Sequence, residues 1–140
     1  MKATELMIGD WVCLKDDTKC EFPLKVDGVL TDDISLEGEG FLGGVDGLIR
    51  PIPITPEILE KDGFEMFKYD GWVHYYRIFG NSAIPFVLHS MIGGEMLSQE
   101  VGIFSTSTDT NCGIEVNYVH ELQHALHLCR LNKLADNFKV

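Results

Sequence analysis

The segment that most constrains the fold reads N-Y-V-H-E-L-Q-H-A-L-H-L-C-R-L and covers residues 117–131. On a helix that turns by about 100° per residue, Val119, Leu122 and Leu126 fall on one face. This spacing predicts an amphipathic helix that packs its apolar face on a core, with Asn117 as the N-cap. The histidines fall on the opposite face and are expected to meet water or a neighbouring loop.

The same segment contains H-E-L-Q-H at residues 120–124, which matches the H-E-x-x-H core of zinc metalloproteases. Residues four apart share a helix face, so His120 and His124 could coordinate one zinc ion. Glu121 would then act as a general base towards the metal-bound water. This chemistry is the alternative reading of the segment.

A catalytic zinc also needs a third protein ligand, and the sequence does not signal one. His127 lies about 10 Å along the helix axis from His120, too far to share a metal with it. No glycine and no glutamate follow the motif before the chain ends. The remaining candidates lie upstream: His74, His89, Cys112 and Glu115. Because helix packing alone explains the pattern, we predict no catalytic residue, metal or cofactor.

The chain is acidic, with 22 acidic and 11 basic residues among its 140 and a net charge of −11. Such a charge repels a phosphate backbone, so nucleic-acid binding is not expected. No apolar run reaches the roughly 18 residues that span a bilayer, and no signal-peptide pattern follows the first residues. A cytoplasmic location without membrane contact is therefore expected. The four cysteines (Cys13, Cys20, Cys112 and Cys129) form no C-x-x-C pair and are expected to be reduced.

The rest of the sequence predicts an α+β fold in a single domain, residues 1–140. Residues 1–54 read as short strands separated by turn signals, among them the hairpin pair Asp27-Gly28, and predict an SH3-like barrel or a bent antiparallel sheet. A short helix is predicted over 55–63, with Thr55 as N-cap, Pro56 at the first helical position and Gly63 as the stop.

A β-meander is predicted over residues 64–116. Asp70-Gly71 and Gly93-Gly94 are its expected hairpin turns, and residues 105–111 read as a polar loop. The C-terminal amphipathic helix is predicted over 117–133.

Three segments, I-G-D-W-V (8–12), P-I-P-I-T-P-E-I-L-E-K-D-G-F (51–64) and Y-V-H-E-L-Q (118–123), together resemble a family of small uncharacterised proteins. That family is abundant in gut anaerobic bacteria and their phages and mobile elements. The resemblance covers nearly the whole chain and implies no activity. In the family pattern Gln is common at the position of Glu121 and Asn at that of His124, which implies that H-E-x-x-H arose here by two departures. We therefore expect a non-enzymatic accessory or protein–protein interaction module with an unknown protein partner; the alternative is a zinc-dependent hydrolase.

Overall fold

The computed structural model describes residues 1–42, 47–69, 72–77, 86–90, 99–105 and 108–140. This part of the chain forms two antiparallel five-stranded sheets and three short α-helices, which confirms the α+β class. None of its helices has the length and apolar character needed to cross a membrane.

The amino-terminal sheet has the strand order β4-β3-β2-β1-β5. Its strands are β1 (Trp11–Leu14), β2 (Leu24–Val29), β3 (Ile34–Leu36), β4 (Gly40–Leu42) and β5 (Ile49–Pro51). Within the described residues no pairing connects the two edge strands, so these five strands form an open row. Closure into an SH3-like barrel stays a prediction.

The predicted hairpin at Asp27-Gly28 is wrong. Both residues lie inside β2, where the register with β3 shifts between Val26 and Gly28. The turn follows the strand instead and is closed by the Leu30 N–H, which donates to the Asp33 carbonyl at 2.8 Å. A bulge accepts glycine as readily as a turn does, so the dipeptide alone does not distinguish the two.

The second sheet has the order β10-β9-β8-β7-β6, which confirms the predicted meander. Its strands are β6 (Glu65–Tyr69), β7 (Trp72–Arg77), β8 (Phe86–Ser90), β9 (Gln99–Ser105) and β10 (Thr108–Val116). The predicted turns Asp70-Gly71 and Gly93-Gly94 lie outside the described residues. The predicted polar loop over 105–111 is wrong from Thr108 onward, because pairing with β9 extends β10 through this polar stretch.

The first helix forms as its capping residues require. The helix α1 (Pro56–Lys61) begins after Thr55, whose Oγ1 accepts the Ile58 N–H at 3.4 Å. Gly63 follows with φ of 75°, a left-handed conformation that glycine adopts without a Cβ clash. The N-cap and stop predictions are both confirmed.

The predicted C-terminal helix over 117–133 is divided into α2 (Val119–Leu128) and α3 (Asn132–Asp136). The break has the hydrogen bonds of a Schellman motif. Leu131 N–H donates to the Leu126 carbonyl at 2.8 Å, and Arg130 N–H donates to the His127 carbonyl at 2.9 Å. Arg130 has φ of 61°, a conformation in which glycine is the usual residue, so no glycine marked the break in the sequence.

Strand β1 is buried on both faces. Val12 and Cys13 are both fully buried, and successive strand residues point to opposite sides. Val12 belongs to an amino-terminal cluster with Val26, Ile34 and Leu36, whereas Cys13 belongs to a central cluster with Leu59, Leu122 and Leu126. The helix α2 therefore packs against the amino-terminal sheet through β1.

The start of α2 is attached to the chain that leaves β5. Val119 N–H donates to the Ile52 carbonyl at 2.9 Å, and Ile54 N–H donates to the Asn117 carbonyl at 3.2 Å. These two bonds fix the position of the H-E-L-Q-H segment relative to residues 7–10, which form the turn that precedes β1.

Candidate functional site

Glu121 caps its own helix. Its Oε2 accepts the N–H groups of Asn117 at 2.7 Å and Tyr118 at 3.1 Å. The first N–H groups of a helix have no partner within the helix, and a carboxylate in the first turn supplies one. The predicted N-cap, Asn117, lies one residue before the observed cap, Tyr118. To act as a general base, this Glu121 oxygen would have to leave both donors.

Gln123 is buried and makes three hydrogen bonds to distant backbone groups. Its Oε1 accepts the Trp11 N–H at 3.1 Å, and its Nε2 donates to the carbonyls of Gly9 and Ala135, each at 3.0 Å. We call this set of contacts the Gln123 clamp. It joins the entry to β1, the helix α2 and the helix α3.

Sequence reasoning missed this residue because it occupies a free position of H-E-x-x-H. The helical wheel carried a signal: Gln123 lies near Val119 and Leu126 on the apolar face, where an amide needs partners.

His124 is held by a buried carboxylate. Its Nε2 lies 2.8 Å from Asp10 Oδ2, and the same oxygen accepts the Met7 N–H at 2.7 Å. The Asp10 side chain is 3% exposed and that of His124 is 27% exposed. Asp10 was not predicted as a partner of the histidine, since the two are distant in sequence. The His124 nitrogen closest to this carboxylate is already used in a contact within the fold.

His120 is buried, so of its two expected surroundings, water and a neighbouring loop, the first is wrong. It is 6% exposed, and burial lowers the pKa of its imidazole, which favours the neutral ring. The ring is stacked against Tyr118 with 6.0 Å between centroids and meets His124 edge to face at 5.8 Å. Its Nδ1 has no hydrogen-bond partner among the described residues.

The described residues do not bring a third ligand to the two histidines. Among the described residues, one group of three His, Cys, Asp or Glu side chains has its possible ligand atoms within 4.8 Å of one another. This group is Cys13, Asp17 and Cys20. His74 lies in β7, stacked on Phe67 at 4.7 Å between centroids. The other upstream candidates, His89, Cys112 and Glu115, lie in strands β8 and β10, where the structure describes their backbone and not their side chains.

The trio near β1 is already bonded internally. Cys13 and Cys20 are joined by a disulfide, so the expectation of four reduced cysteines is wrong for this pair. Asp17 accepts the N–H groups of Phe22 at 2.8 Å and Glu21 at 3.0 Å, and these bonds lower the pKa of its carboxyl. The aspartate thus orders the loop that carries Cys20, and the sulfurs in this bonded state offer no thiolate to a metal.

A second feature lies on the side of the molecule where α1, β7, α3 and the C-terminal residues meet. A cavity of about 780 Å³ is lined there by five basic residues: Lys61, Arg77, Arg130, Lys133 and Lys139. We call it the basic cleft. These are five of the 11 basic residues of the chain. Sequence reasoning missed the cleft, since its residues are scattered over distant segments.

Asp62 is the carboxylate in the lining of the basic cleft. Its two oxygens accept the Lys139 N–H at 3.1 and 3.2 Å. Burial raises the pKa of Asp62 from its usual 3.8 to about 6, while the Lys139 N–H bond and the nearby Arg77, Lys139 and Lys61 charges act in the opposite direction. Arg77 donates from Nη1 to the Asp62 carbonyl and is thereby held at the edge of the cleft.

No protein-family model matches this chain, nor does any curated protein or solved structure with which it was compared. The fold and its contacts define an α+β protein with a polar clamp at one helix and a basic cleft beside another. Its function has to be inferred from those two features.

Proposed function

We propose that this protein is a non-enzymatic accessory module that acts by binding a partner. The observation that supports this is the use of the H-E-L-Q-H side chains within the fold. Glu121 caps α2, Gln123 forms the clamp, and His124 bonds to Asp10. Each of these polar groups is bonded to a backbone or carboxylate partner within the fold, as buried polar groups usually are.

The energetic cost of giving up these contacts supports the same proposal. Leaving a buried donor or acceptor without a partner costs roughly 1–3 kcal/mol. A metal site would require His124 Nε2 to leave Asp10, or the ring to present Nδ1 instead. A general base at position 121 would have to act through Oε1, because Oε2 is held by the two N–H groups at the helix start.

The zinc-dependent hydrolase is retained as the second candidate because one observation favours it. The rings of His120 and His124 are adjacent, and the buried His120 Nδ1 has no described partner. A metal ligand supplied by residues outside the described side chains, such as His89, Cys112 or Glu115, would complete this candidate.

Metal analysis of protein purified without an affinity tag separates the two functions. We expect substoichiometric zinc, and no gain in melting temperature when zinc is added. Glu121→Gln is expected to keep the fold stable to within about 0.5 kcal/mol, because a glutamine at this position also accepts the capping N–H bonds. Stoichiometric zinc that is lost in His120→Ala, with hydrolytic activity lost in Glu121→Gln, would favour the hydrolase and overturn the proposal.

Three finer points belong to the same proposal. We take the amino-terminal strands to be bent towards an SH3-like closure, the location to be cytoplasmic, and the chain to belong with phage or mobile-element proteins. The disulfide Cys13–Cys20 is the feature that argues against the cytoplasm, where thiols are usually reduced. Thiol counting on protein rapidly alkylated in its host cells would decide whether the bond exists there.

A further inference from the structure

Nearly half of the basic residues of this acidic chain line one cavity. The chain carries a net charge of −11, yet five of its basic side chains line one cavity with a single carboxylate, Asp62. We propose that the basic cleft binds a small multivalent oxyanion, either a phosphate compound or a polycarboxylate. This goes beyond the proposed function, because it assigns a ligand class to a surface that the H-E-L-Q-H segment does not form.

The cleft is assembled from separate segments of the chain. Lys61 ends α1, Arg77 ends β7, Arg130 lies between α2 and α3, and Lys133 lies in α3; Lys139 follows near the C-terminus. Among the described residues, no carboxylate lies within 4.0 Å of the side-chain nitrogens of Arg130 or Lys133. Like charges gathered from distant segments repel one another, and a bound anion would relieve that repulsion. In a chain with twice as many acids as bases, this arrangement points to a bound anion.

Arg130 provides an independent observation. It occupies the left-handed position of the Schellman motif, with φ of 61°, where a side chain is strained and glycine is preferred. The fold requires the turn but not the side chain, since glycine would form the same turn with less strain, and a residue kept under such strain often serves a function. A guanidinium offers paired donors that match phosphate and carboxylate oxygens, which gives the strained residue a role in the cleft.

The shape of the site selects a small ligand over a polymer. A volume of about 780 Å³ lies within the range of roughly 300–1,000 Å³ typical of small-molecule sites. A nucleic acid would extend past the cleft onto a surface whose net charge is negative and would be repelled there.

Isothermal titration calorimetry at low ionic strength tests the proposal, with inorganic pyrophosphate and citrate as the probes and glucose as the uncharged control. Pyrophosphate or citrate is expected to bind one to one, and glucose is not. Tighter binding of pyrophosphate would assign the phosphate class, and tighter binding of citrate would assign the polycarboxylates. Either result supports a multivalent oxyanion.

Matched variants locate the binding. Arg130→Gly, which the backbone conformation favours, is expected to weaken binding about tenfold, as the loss of one charge-assisted pair would. Lys68→Gln removes the same charge from an exposed position in β6, which does not line the cleft. Because solvent and salt screen such a charge, the substitution is expected to change the affinity less than about twofold. Asp62→Asn removes the one carboxylate of the cleft and is expected to strengthen binding.

Three results would overturn the inference. These are no binding of either anion, equal weakening in Arg130→Gly and Lys68→Gln, and tighter binding of a DNA duplex than of pyrophosphate at equal phosphate concentration. A circular dichroism melt of each variant shows whether it is folded before titration. The metal measurements on His120 and Glu121 do not depend on the cleft, so this inference and the proposed function can fail separately.

Discussion

At the scale of single residues, the amide of Gln123 links more of the chain than the two histidines that define the motif. It satisfies three backbone groups from two other segments, the entry to β1 and α3, in a buried site. The position is a free one in H-E-x-x-H, so a motif search ignores it. The contacts of the clamp make it a residue on which the fold depends.

We predict that Gln123→Ala lowers the free energy of unfolding by about 3 kcal/mol, since Trp11 N–H and two carbonyls lose a buried partner. Urea denaturation followed by tryptophan fluorescence measures the change. Asn137→Ala removes an exposed hydrogen bond to the Lys133 carbonyl and is the control, expected to stay within about 0.5 kcal/mol. A loss below about 1 kcal/mol in Gln123→Ala would show that the clamp is not needed.

Asp62 gives the fold a pH dependence whose sign follows from its raised pKa. In the folded chain the pKa is about 6, above its usual 3.8, because burial disfavours the carboxylate. The stability that this group contributes is therefore fully present below pH 3.8 and is lost as pH rises through 6. Lys139, Arg77 and Lys61 act against this shift without cancelling it.

We predict that Asp62→Asn is more stable than the parent chain at pH 7.5 and that the difference shrinks towards pH 4. The asparagine Oδ1 still accepts the Lys139 N–H, so the hydrogen bond is retained. Chemical denaturation at a series of pH values measures the difference. Asp32→Asn, at an exposed position, controls for the change in net charge. A difference that does not vary with pH contradicts the assignment of the raised pKa to Asp62.

At the scale of elements, the break between α2 and α3 decides where the C-terminal residues go. The Schellman turn at Arg130 reverses the chain, so that Ala135 reaches the Gln123 clamp and the Phe138 carbonyl accepts the Trp11 Nε1–H at 2.7 Å. One continuous helix over 117–133 would carry these residues away from the core.

We predict that Arg130→Gly raises the free energy of unfolding by about 1 kcal/mol, because it removes the strain of a side chain in the left-handed region. The gain should appear as a higher midpoint in urea at an unchanged slope. Arg50→Gly, at a strand position with an ordinary backbone, is expected to destabilise the fold instead, because glycine weakens a strand and the Arg50 hydrogen bonds to the Asp17 carbonyl are lost. If Arg130→Gly proves destabilising, the arginine makes contacts that outweigh its strain.

At the scale of the whole molecule, one strand joins two hydrophobic clusters, and five of the 11 basic residues line one cleft. Strand β1 contributes Val12 to one core cluster and Cys13 to the other, so both depend on the same four residues. The acidic residues keep the remaining surface strongly negative. The basic cleft is therefore the part of the described surface best suited to an anionic ligand.

The sequence by itself determined the features that depend on neighbours along the chain. Thr55 and Gly63 bounded α1, the apolar spacing of Val119, Leu122 and Leu126 located α2, and the β-prone runs predicted the meander. Caps and periodicities are local signals, readable before any folding is known. The same signals failed at Asp27-Gly28, because this dipeptide fits a strand irregularity as well as a hairpin turn. They also failed at position 130, where an arginine occupies the place at which glycine is expected.

Only the tertiary structure decided which polar groups meet. Asp10 and His124 are separated by 114 positions, and so are Gln123 and Gly9, and nothing local links either pair. The basic cleft likewise draws its charges from α1, β7, the α2–α3 turn and the C-terminal residues. The spacing of apolar and polar residues shows which face of a helix or strand a side chain occupies. The group to which that side chain hydrogen-bonds depends on the path of the whole chain. For this reason the zinc motif was visible in the sequence, whereas the contacts that hold its residues in the fold were not, and neither was the basic cleft.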